Sequence, residues 1–211
     1  VRSAFGHSGQ KCSAASLVIV ERTLVANGRF ARKLADATRS LAVGPADDPA
    51  TEVGPLIRPA GEMLQRALCV LDEGETWLVE PRQLGPRLWS PGIRSGVREG
   101  SWFHRTECFG PVLGLMAADG LDHAIAIQSA TGYGLTGGLH SLDPAEIRRF
   151  VERAEVGNVY VNRAITGAVV RRQPFGGWKQ SAVGPTAKAG GPGYLPALTR
   201  WKDTAPDRIA A

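Results

Sequence analysis

Apolar and polar positions along the chain alternate in two rhythms, one of strands and one of helices. Ala14 to Val20 is a mostly apolar run of strand length and reads as a short buried strand. After it, Phe30, Leu34, Ala37 and Leu41 recur at helical spacing, with Gly44-Pro45 as the stop. A second helix is expected to begin near Pro59, a residue suited to a first helical position, and to carry Met63, Leu64, Ala67, Leu68 and Leu71 on one face. Residues 73–100 are rich in Gly, Pro and Arg and offer one strand-like stretch, Thr76 to Val79. The sharpest unit lies further on. Leu135 to His140 reads as a strand, and Asp143-Pro144-Ala145-Glu146 reads as a helix start with Asp143 as the cap and Glu146 reaching back. Ile147, Phe150, Val151 and Ala154 share a face of that helix, Gly157 is expected to end it, and Val159 to Asn162 resumes an extended run. Strand, helix and strand with short links predict a right-handed crossover and parallel pairing. The chain is therefore expected to be α/β with a parallel sheet.

Composition and charge narrow this picture. The 211 residues are 43% hydrophobic and 21% charged, which is globular. No apolar run approaches the roughly 18 residues of a membrane span, and no signal peptide is evident. The chain opens on Val1 rather than methionine and reads as a cut or partial chain. Cys12, Cys69 and Cys108 form no CxxC pair and no metal-ligand spacing with the histidines, so no metal site is expected and a reducing, cytoplasmic setting is. A net charge of +5 invites nucleic acid as a partner, yet acidic residues are interleaved with basic ones, as in Glu146 to Arg153, and no nucleic-acid motif is present.

Three short segments can carry chemistry. Cys12 stands in Gly6-His7-Ser8-Gly9-Gln10-Lys11-Cys12-Ser13, where glycines permit a tight turn that presents a side chain into a cleft. On spacing alone a small buried thiol is the better reading, and Cys69, within an apolar helical face, keeps that reading. Glu107-Cys108-Phe109-Gly110-Pro111 precedes the apolar Val112 to Leu115; its carboxylate and ring could grip a ribose and a planar base, or Phe109 could simply belong to the core. Gln173-Pro174-Phe175-Gly176-Gly177-Trp178-Lys179-Gln180-Ser181 is either a loop shaped against a ligand or a surface turn anchored by Phe175.

Taken in order, Gly-Gln-Lys-Cys, Glu-x-Phe-Gly-Pro and Pro-Phe-Gly-Gly-x-Lys-x-Ser resemble the aldehyde dehydrogenase superfamily, with Glu107 standing 95 positions after Cys12. The resemblance runs from Arg2 to about Leu195. Gly157-Asn158-Val-Tyr-Val-Asn162-Arg163, Thr166-Gly167-Ala168-Val169-Val170, Gly184-Pro185 and Lys188 to Pro192 narrow it to the glutamate-semialdehyde, or pyrroline-5-carboxylate, dehydrogenases, which in many bacteria form the C-terminal part of bifunctional proline utilization A.

The resemblance implies an NAD-dependent enzyme in which Cys12 attacks L-glutamate γ-semialdehyde and passes through a thiohemiacetal and a thioester to glutamate. It implies that the Cys12 N–H faces the oxyanion, that Glu107 binds the nicotinamide ribose and that Phe109 packs near the nicotinamide ring. It implies that backbone N–H groups of Gly167 and Ala168 hold the substrate carboxylate, that Ser13 adds a hydroxyl donor, and that Phe175 packs on the aliphatic stem. Ala168 stands where serine is frequent, and Arg171, Arg172, Trp178 and Lys179 also depart from the pattern. These departures keep open a dehydrogenase for another aldehyde, or a non-catalytic oligomerisation module.

The expected fold is the parallel-sheet catalytic domain of the aldehyde dehydrogenase fold, without its N-terminal cofactor-binding half. Residues 1–195 are taken as that domain and 196–211 as a polar tail. In the family the glycine-bearing cofactor half, the oxyanion-hole asparagine and the general-base glutamate all precede the cysteine. The isolated chain is accordingly expected to bind NAD poorly and not to turn over. FAD is expected only if an upstream proline dehydrogenase domain exists, a homo-oligomer only for the full-length parent, and NAD against NADP stays open.

Overall fold

The structure is a computed structural model describing residues 1–169, 172, 175–183 and 198–200. In chain order its elements are α1 (Arg2–Phe5), a 3-10 turn (Gly6–Gly9), β1 (Leu17–Glu21), α2 (Arg22–Ala26), α3 (Arg29–Arg39), α4 (Glu62–Cys69), β2 (Thr76–Val79), β3 (Gly92–Ser95), α5 (Trp102–Arg105), β4 (Val112–Ala118), α6 (Leu121–Ser129), β5 (Tyr133–Gly134), β6 (Thr136–Leu139), α7 (Pro144–Arg153), β7 (Asn158–Val161) and β8 (Trp178–Lys179). Four strands make the main sheet in the order β1-β4-β3-β2. Its first three strands are mutually parallel, and β2 joins antiparallel at the edge. Parallel β6 and β7 form a separate pair, as do antiparallel β5 and β8.

The main sheet is covered on both faces because β4 is apolar throughout. Successive side chains on a strand point to opposite faces. Val112, Met116 and Ala118 therefore enter one core cluster with Leu64, Ala67, Leu68, Phe103 and Ile127. Leu113 and Leu115 enter the other, with Phe5, Val20, Ala35, Val53 and Ile93. An all-apolar strand buried on both sides is what a central parallel strand requires. Each such side chain taken from water stabilises the fold by about 1.5–3 kcal/mol. Gly114 makes room in β4 for the Phe103 ring, which would lie 2.7 Å from a Cβ placed there.

Arg94, on β3, is fully buried on the α4 side. Its Nε donates to Glu75 Oε2 at 2.9 Å, its Nη2 also donates to Glu75 Oε2, and its Nη1 donates to the Ala67 carbonyl of α4 at 2.8 Å. The guanidinium stacks over the rings of Phe103 and Trp77, at 4.7 and 5.5 Å from their centroids. A buried cation is tolerated only when paired and hydrogen-bonded in this way. Glu75 Oε1 is buried without a partner among the described residues, so the pair is only partly compensated.

The sheet pairs behave as the strand–helix–strand pattern requires. Thr136 to Leu139 lies in parallel register with Asn158 to Val161. Asp143 Oδ1 accepts from the Ala145 N–H at 2.7 Å, and Pro144 opens α7. Glu146 closes the cap through an intermediary: it accepts from the Ser141 hydroxyl, which itself accepts from the Asp143 N–H at 3.1 Å.

Several expectations change. The first strand begins at Leu17 rather than Ala14, the helix carrying Phe30 ends at Arg39, short of Gly44-Pro45, and α4 begins at Glu62, not near Pro59. Met63 is exposed, and so is Cys69, which ends α4 and faces away from its apolar stripe of Leu64, Ala67 and Leu68. Val151 is exposed on α7, where Phe150 and Ala154 make the buried contact. Gly157 does not end the helix, which stops at Arg153; it is needed because a Cβ there would lie 2.4 Å from Gly176. Residues 73–100 hold a second strand, β3, whose Gly92 and Arg94 disguise it as loop. The boundary drawn at 195 lies outside the described residues, as does the 196–211 tail apart from residues 198–200.

The Arg94–Glu75 pair generates a stability prediction. Glu75→Ala is expected to cost about 3–5 kcal/mol, because it leaves a buried guanidinium uncompensated. The double variant Arg94→Met, Glu75→Leu is expected to recover most of that loss. Urea unfolding of the three proteins checks it; a single-variant loss under about 1 kcal/mol would contradict the assignment.

Candidate active site

Because β1 and β4 are adjacent and parallel, the segments leading into them lie side by side at one edge of the sheet. Leu17 pairs with Gly114, so Cys12 and Phe109 each stand five residues ahead of the first paired position. Two segments far apart in sequence are brought together by topology alone. This is the amino edge of the strands. At the carboxyl edge, where ligands of open α/β sheets usually bind, a groove of about 390 Å³ is lined by Arg22, Val25, Gly96, Arg98, Met116 and His123. None of the sequence-derived candidates lines it.

The Cys12 turn is strained and tightly held. His7, Ser8 and Gly9 are consecutively left-handed, with φ of 53°, 56° and 68°. Two of the three are not glycine, which stores strain that surrounding contacts must hold. The Ser8 hydroxyl donates to the Gly54 carbonyl at 2.5 Å. Gly9 could be no other residue, since a Cβ would sit 2.1 Å from the Gly110 carbonyl oxygen. Gly110 in turn has Leu64 Cδ1 at 2.2 Å from any Cβ it might carry. The next residue, Gln10, donates from Nε2 to the Phe109 carbonyl at 3.2 Å, and its Oε1 accepts from the Ile57 N–H at 2.9 Å. A Lys11-to-Ala14 turn, closed by a 3.0 Å backbone bond, then leaves Cys12 exposed.

The facing loop alternates outward and inward. Glu107 is exposed, Cys108 is buried, and Phe109 is 42% exposed in a left-handed conformation with φ of 54°. The alternation separates the two cysteines chemically. Burial pushes the Cys108 thiol up to about 11, against a smaller downward pull from the Arg94 charge and with a further upward push from Glu107. Cys108 is therefore a protonated core thiol near neutrality, its Sγ donating to the Thr106 carbonyl. Thiolates, not thiols, attack carbonyl carbon. Cys12 has the exposure and setting of a nucleophile. Cys69 is also exposed, but on a helix surface apart from these loops.

The remaining candidates are tied to the β6–β7 pair. Ser13 is buried, and its carbonyl accepts from Thr136 Oγ1 at 3.3 Å. Thr136 is the register partner of Asn158. Asn158 Nδ2 donates to the carbonyls of Leu135 at 2.9 Å and Gly176 at 2.8 Å. The turn carrying Cys12 and Ser13, and the segment carrying half-buried Phe175, are thus both fastened to the amino end of that strand pair. Ser181 and Lys179 fix the far side of the Gly176-Gly177 turn: the Ser181 hydroxyl accepts from the Gly134 N–H at 3.0 Å, and Lys179 donates to the Ser129 carbonyl and pairs with Glu155. Gly167 and Ala168 follow the carboxyl end of β7 instead. Gly167 has φ of 89°, and Ile165 just before it donates its N–H to Ser3 Oγ of α1 at 3.2 Å. Arg172 and Trp178 are exposed, while Val170, Arg171, Gln173, Pro174, Gly184-Pro185 and Lys188 to Pro192 lie outside the described residues.

Sequence patterns missed Gln10, Thr136 and Asn158 as the residues that join these segments. The signal for Gln10 was its carboxamide, which carries both a donor and an acceptor beside the candidate nucleophile. Among the described residues no group of three or more His, Cys, Asp or Glu is arranged to hold a metal ion, and no helix is long and apolar enough to cross a membrane.

The family model described as "Aldehyde dehydrogenase family" matches residues 1–204. A 1-pyrroline-5-carboxylate dehydrogenase of Bacillus subtilis (strain 168) is 38% identical over 198 residues, covering 92% of this chain and 38% of that protein. Among solved structures, proline utilization A from Corynebacterium freiburgense is 55% identical with a TM-score of 0.90, over 100% of this chain and 22% of that one. A 1-pyrroline-5-carboxylate dehydrogenase from Thermus with bound NAD is 32% identical with a TM-score of 0.78, over 89% of this chain and 36% of that one. The chain thus spans about two-fifths of the length of the curated relatives it matches. With a family match across nearly all of its length, and with an exposed cysteine turn locked against a Glu-x-Phe-Gly-Pro loop at the amino edge of a mostly parallel sheet, the chain belongs to the aldehyde dehydrogenase family.

Proposed function

We propose that these residues are the catalytic portion of an NAD-dependent dehydrogenase that oxidises L-glutamate γ-semialdehyde to L-glutamate in proline catabolism. The observation that carries the reading is the exposed Cys12, held by the Gly9–Gly110 contact beside the outward-facing Glu107 and Phe109. The resemblance of segments between residues 157 and 192 to the glutamate-semialdehyde enzymes, and the names of the relatives above, supply the substrate. Residues 1–195 are assigned to the catalytic domain, 196–211 to its tail, and the parent protein to the cytoplasm as a homo-oligomer. FAD belongs to this account only where an upstream proline dehydrogenase domain is present.

The residues fit the nicotinamide end of the cofactor. Glu107 offers an exposed carboxylate to ribose hydroxyls, and Phe109, two residues on, offers an exposed ring to a planar base. When bound, NAD supplies the hydride acceptor. The chain's own part begins with the Cys12 thiolate, which forms a C–S bond to the aldehyde carbon while the carbonyl electron pair moves to oxygen. The Cys12 N–H faces that oxyanion, where a fixed donor is most effective. NAD held against Glu107 and Phe109 would accept the hydride that leaves the substrate carbon, and the group left on Cys12 would be a thioester. Water then cleaves the C–S bond, releasing the acid and the thiol. Gly167 and Ala168 N–H groups hold the substrate's own carboxylate, Ser13 adds a donor, and Phe175 covers the aliphatic stem.

The exposed Arg172 and Trp178 favour a second reading, a dehydrogenase for a differently shaped aldehyde. Turnover of the parent enzyme on glutamate semialdehyde against simple aliphatic aldehydes separates the two.

Cys12→Ala in the full-length parent is expected to lower kcat by at least about a thousandfold with folding intact, as removal of a covalent nucleophile does. Unchanged activity would place the chain among structural modules instead. Thiol mapping with iodoacetamide near neutral pH is expected to label Cys12 and spare Cys108, whose labelling should rise only as the pH nears about 11. The sign follows from its raised pKa: the reactive thiolate is a minor species below that value and grows scarcer as the pH falls. We infer further that these 211 residues alone bind NAD weakly and do not turn over, since the family's oxyanion asparagine and general-base glutamate have no counterpart here. NAD reduction by the isolated chain at ordinary enzyme rates would refute this.

A further inference from the structure

Gln10 touches two loops that the candidate site needs, and nothing in the chemistry above uses it. Its carboxamide spans the Ile57 N–H, 47 residues away in sequence, and the Phe109 carbonyl, 99 residues away. The backbone groups settle which way the amide faces: an N–H can only donate and a carbonyl can only accept. A neutral side chain that meets both must carry a donor and an acceptor, and reach both loops at once. Asparagine has them but is one methylene shorter, and glutamate keeps the acceptor while losing the donor.

The contact falls where the backbone is under strain. Phe109 has φ of 54°, a region that disfavours side chains bearing a Cβ, and it is 42% exposed. Relaxation of Phe109 towards extended backbone would swing both its ring and the Glu107 carboxylate. The Gly9–Gly110 contact prevents close loops from moving together but does not stop Phe109 from rotating. The Gln10 bond fixes the carbonyl that such a rotation would displace. On its own side, Gln10 is tied into the Cys12 turn by its N–H, which donates to the His7 carbonyl at 2.9 Å.

We propose that Gln10 is a positioning residue, locking the Phe109 loop to the Cys12 turn through its two-sided amide so that cofactor contacts and nucleophile keep one relative placement. The proposal rests on the reading of Glu107 and Phe109 as the cofactor-binding pair. Gln10 makes no bond to substrate or cofactor itself; it acts through Phe109 and through the turn.

The test uses the full-length parent carrying Gln10→Glu, Gln10→Met or, as a control on the cofactor reading, Glu107→Ala. Kinetics in NAD, melting temperature and the rate of Cys12 alkylation without NAD are measured for each. Gln10→Glu keeps the Ile57 arm but sets an anionic oxygen against the Phe109 carbonyl; it is expected to raise KM for NAD about tenfold, with a smaller change in kcat. Gln10→Met removes both arms at similar volume and is expected to move KM in the same direction. If Glu107→Ala raises KM for NAD and both Gln10 variants leave it at the wild-type value, the proposal is overturned and the cofactor reading survives. If the Gln10 variants lower melting temperature and kcat with KM unmoved, Gln10 is merely structural and the proposal is likewise overturned. If Glu107→Ala leaves KM unmoved, the cofactor reading fails, and the alkylation rates decide: a shift of about threefold or more in both Gln10 variants supports the positioning role, and wild-type rates overturn it.

Discussion

Gly9 approaches the Gly110 backbone so closely that it cannot carry a side chain, and the rest of the candidate site is hung on that contact. A Cβ on Gly9 would be 2.1 Å from the Gly110 oxygen, and one on Gly110 would be 2.2 Å from Leu64. The contact exists because β1 and β4 are neighbours in parallel register, which forces their leading segments to one edge of the sheet. Packing on both faces of β4 makes that register costly to change, since a one-residue slip would exchange the two apolar clusters. Sheet, core and site are therefore one structure: apolar burial sets the register, and the register sets the distance between Cys12 and the Phe109 loop.

Of the five non-glycine residues with positive φ among the described residues, three flank the candidate nucleophile and the loop facing it, the others being Asn162 and Lys179. His7, Ser8 and Phe109 are all left-handed without being glycine, and each lies within five residues of Cys12 or within two of Glu107. Such conformations cost about 1–3 kcal/mol each and persist only when neighbours hold them. Here the holders are specific: Ser8 to Gly54, Gln10 to Phe109 and Ile57, and Leu64 against Gly110. The buried Arg94 contributes from below, since it bonds the Ala67 carbonyl of the same helix that carries Leu64. Placement of an exposed thiol and an exposed ring in this way uses stability supplied by the apolar sheet.

Much of this was legible in the sequence where one residue type has one physical meaning. Asp143-Pro144-Ala145-Glu146 announced a helix start, and Leu135 to His140 and Val159 to Asn162 announced the parallel strands on either side of it. The ordered motifs around Cys12, Glu107 and Phe175 pointed to the family even though each was weak alone. What stayed hidden was set by partners distant in sequence. β3 was obscured because Arg94 and Gly92 do not look like strand core until Glu75, Phe103 and Pro81 are seen against them. Gly157 read as a helix stop, whereas its role is to admit Gly176. Cys69 read as a buried thiol because helical spacing near a helix end does not say where the helix stops; α4 ends on it, leaving it exposed. Cys108 is the thiol that burial made inert.

If Cys12 is the nucleophile, the carbon being oxidised becomes covalently attached to it. Peptide mass mapping of the full-length enzyme, acid-quenched during turnover with glutamate semialdehyde and NAD, tests it most directly. An acyl adduct confined to the Cys12 peptide is the expected result. An adduct on the Cys69 peptide, or steady turnover with no adduct on Cys12 under conditions that trap thioesters, would contradict it.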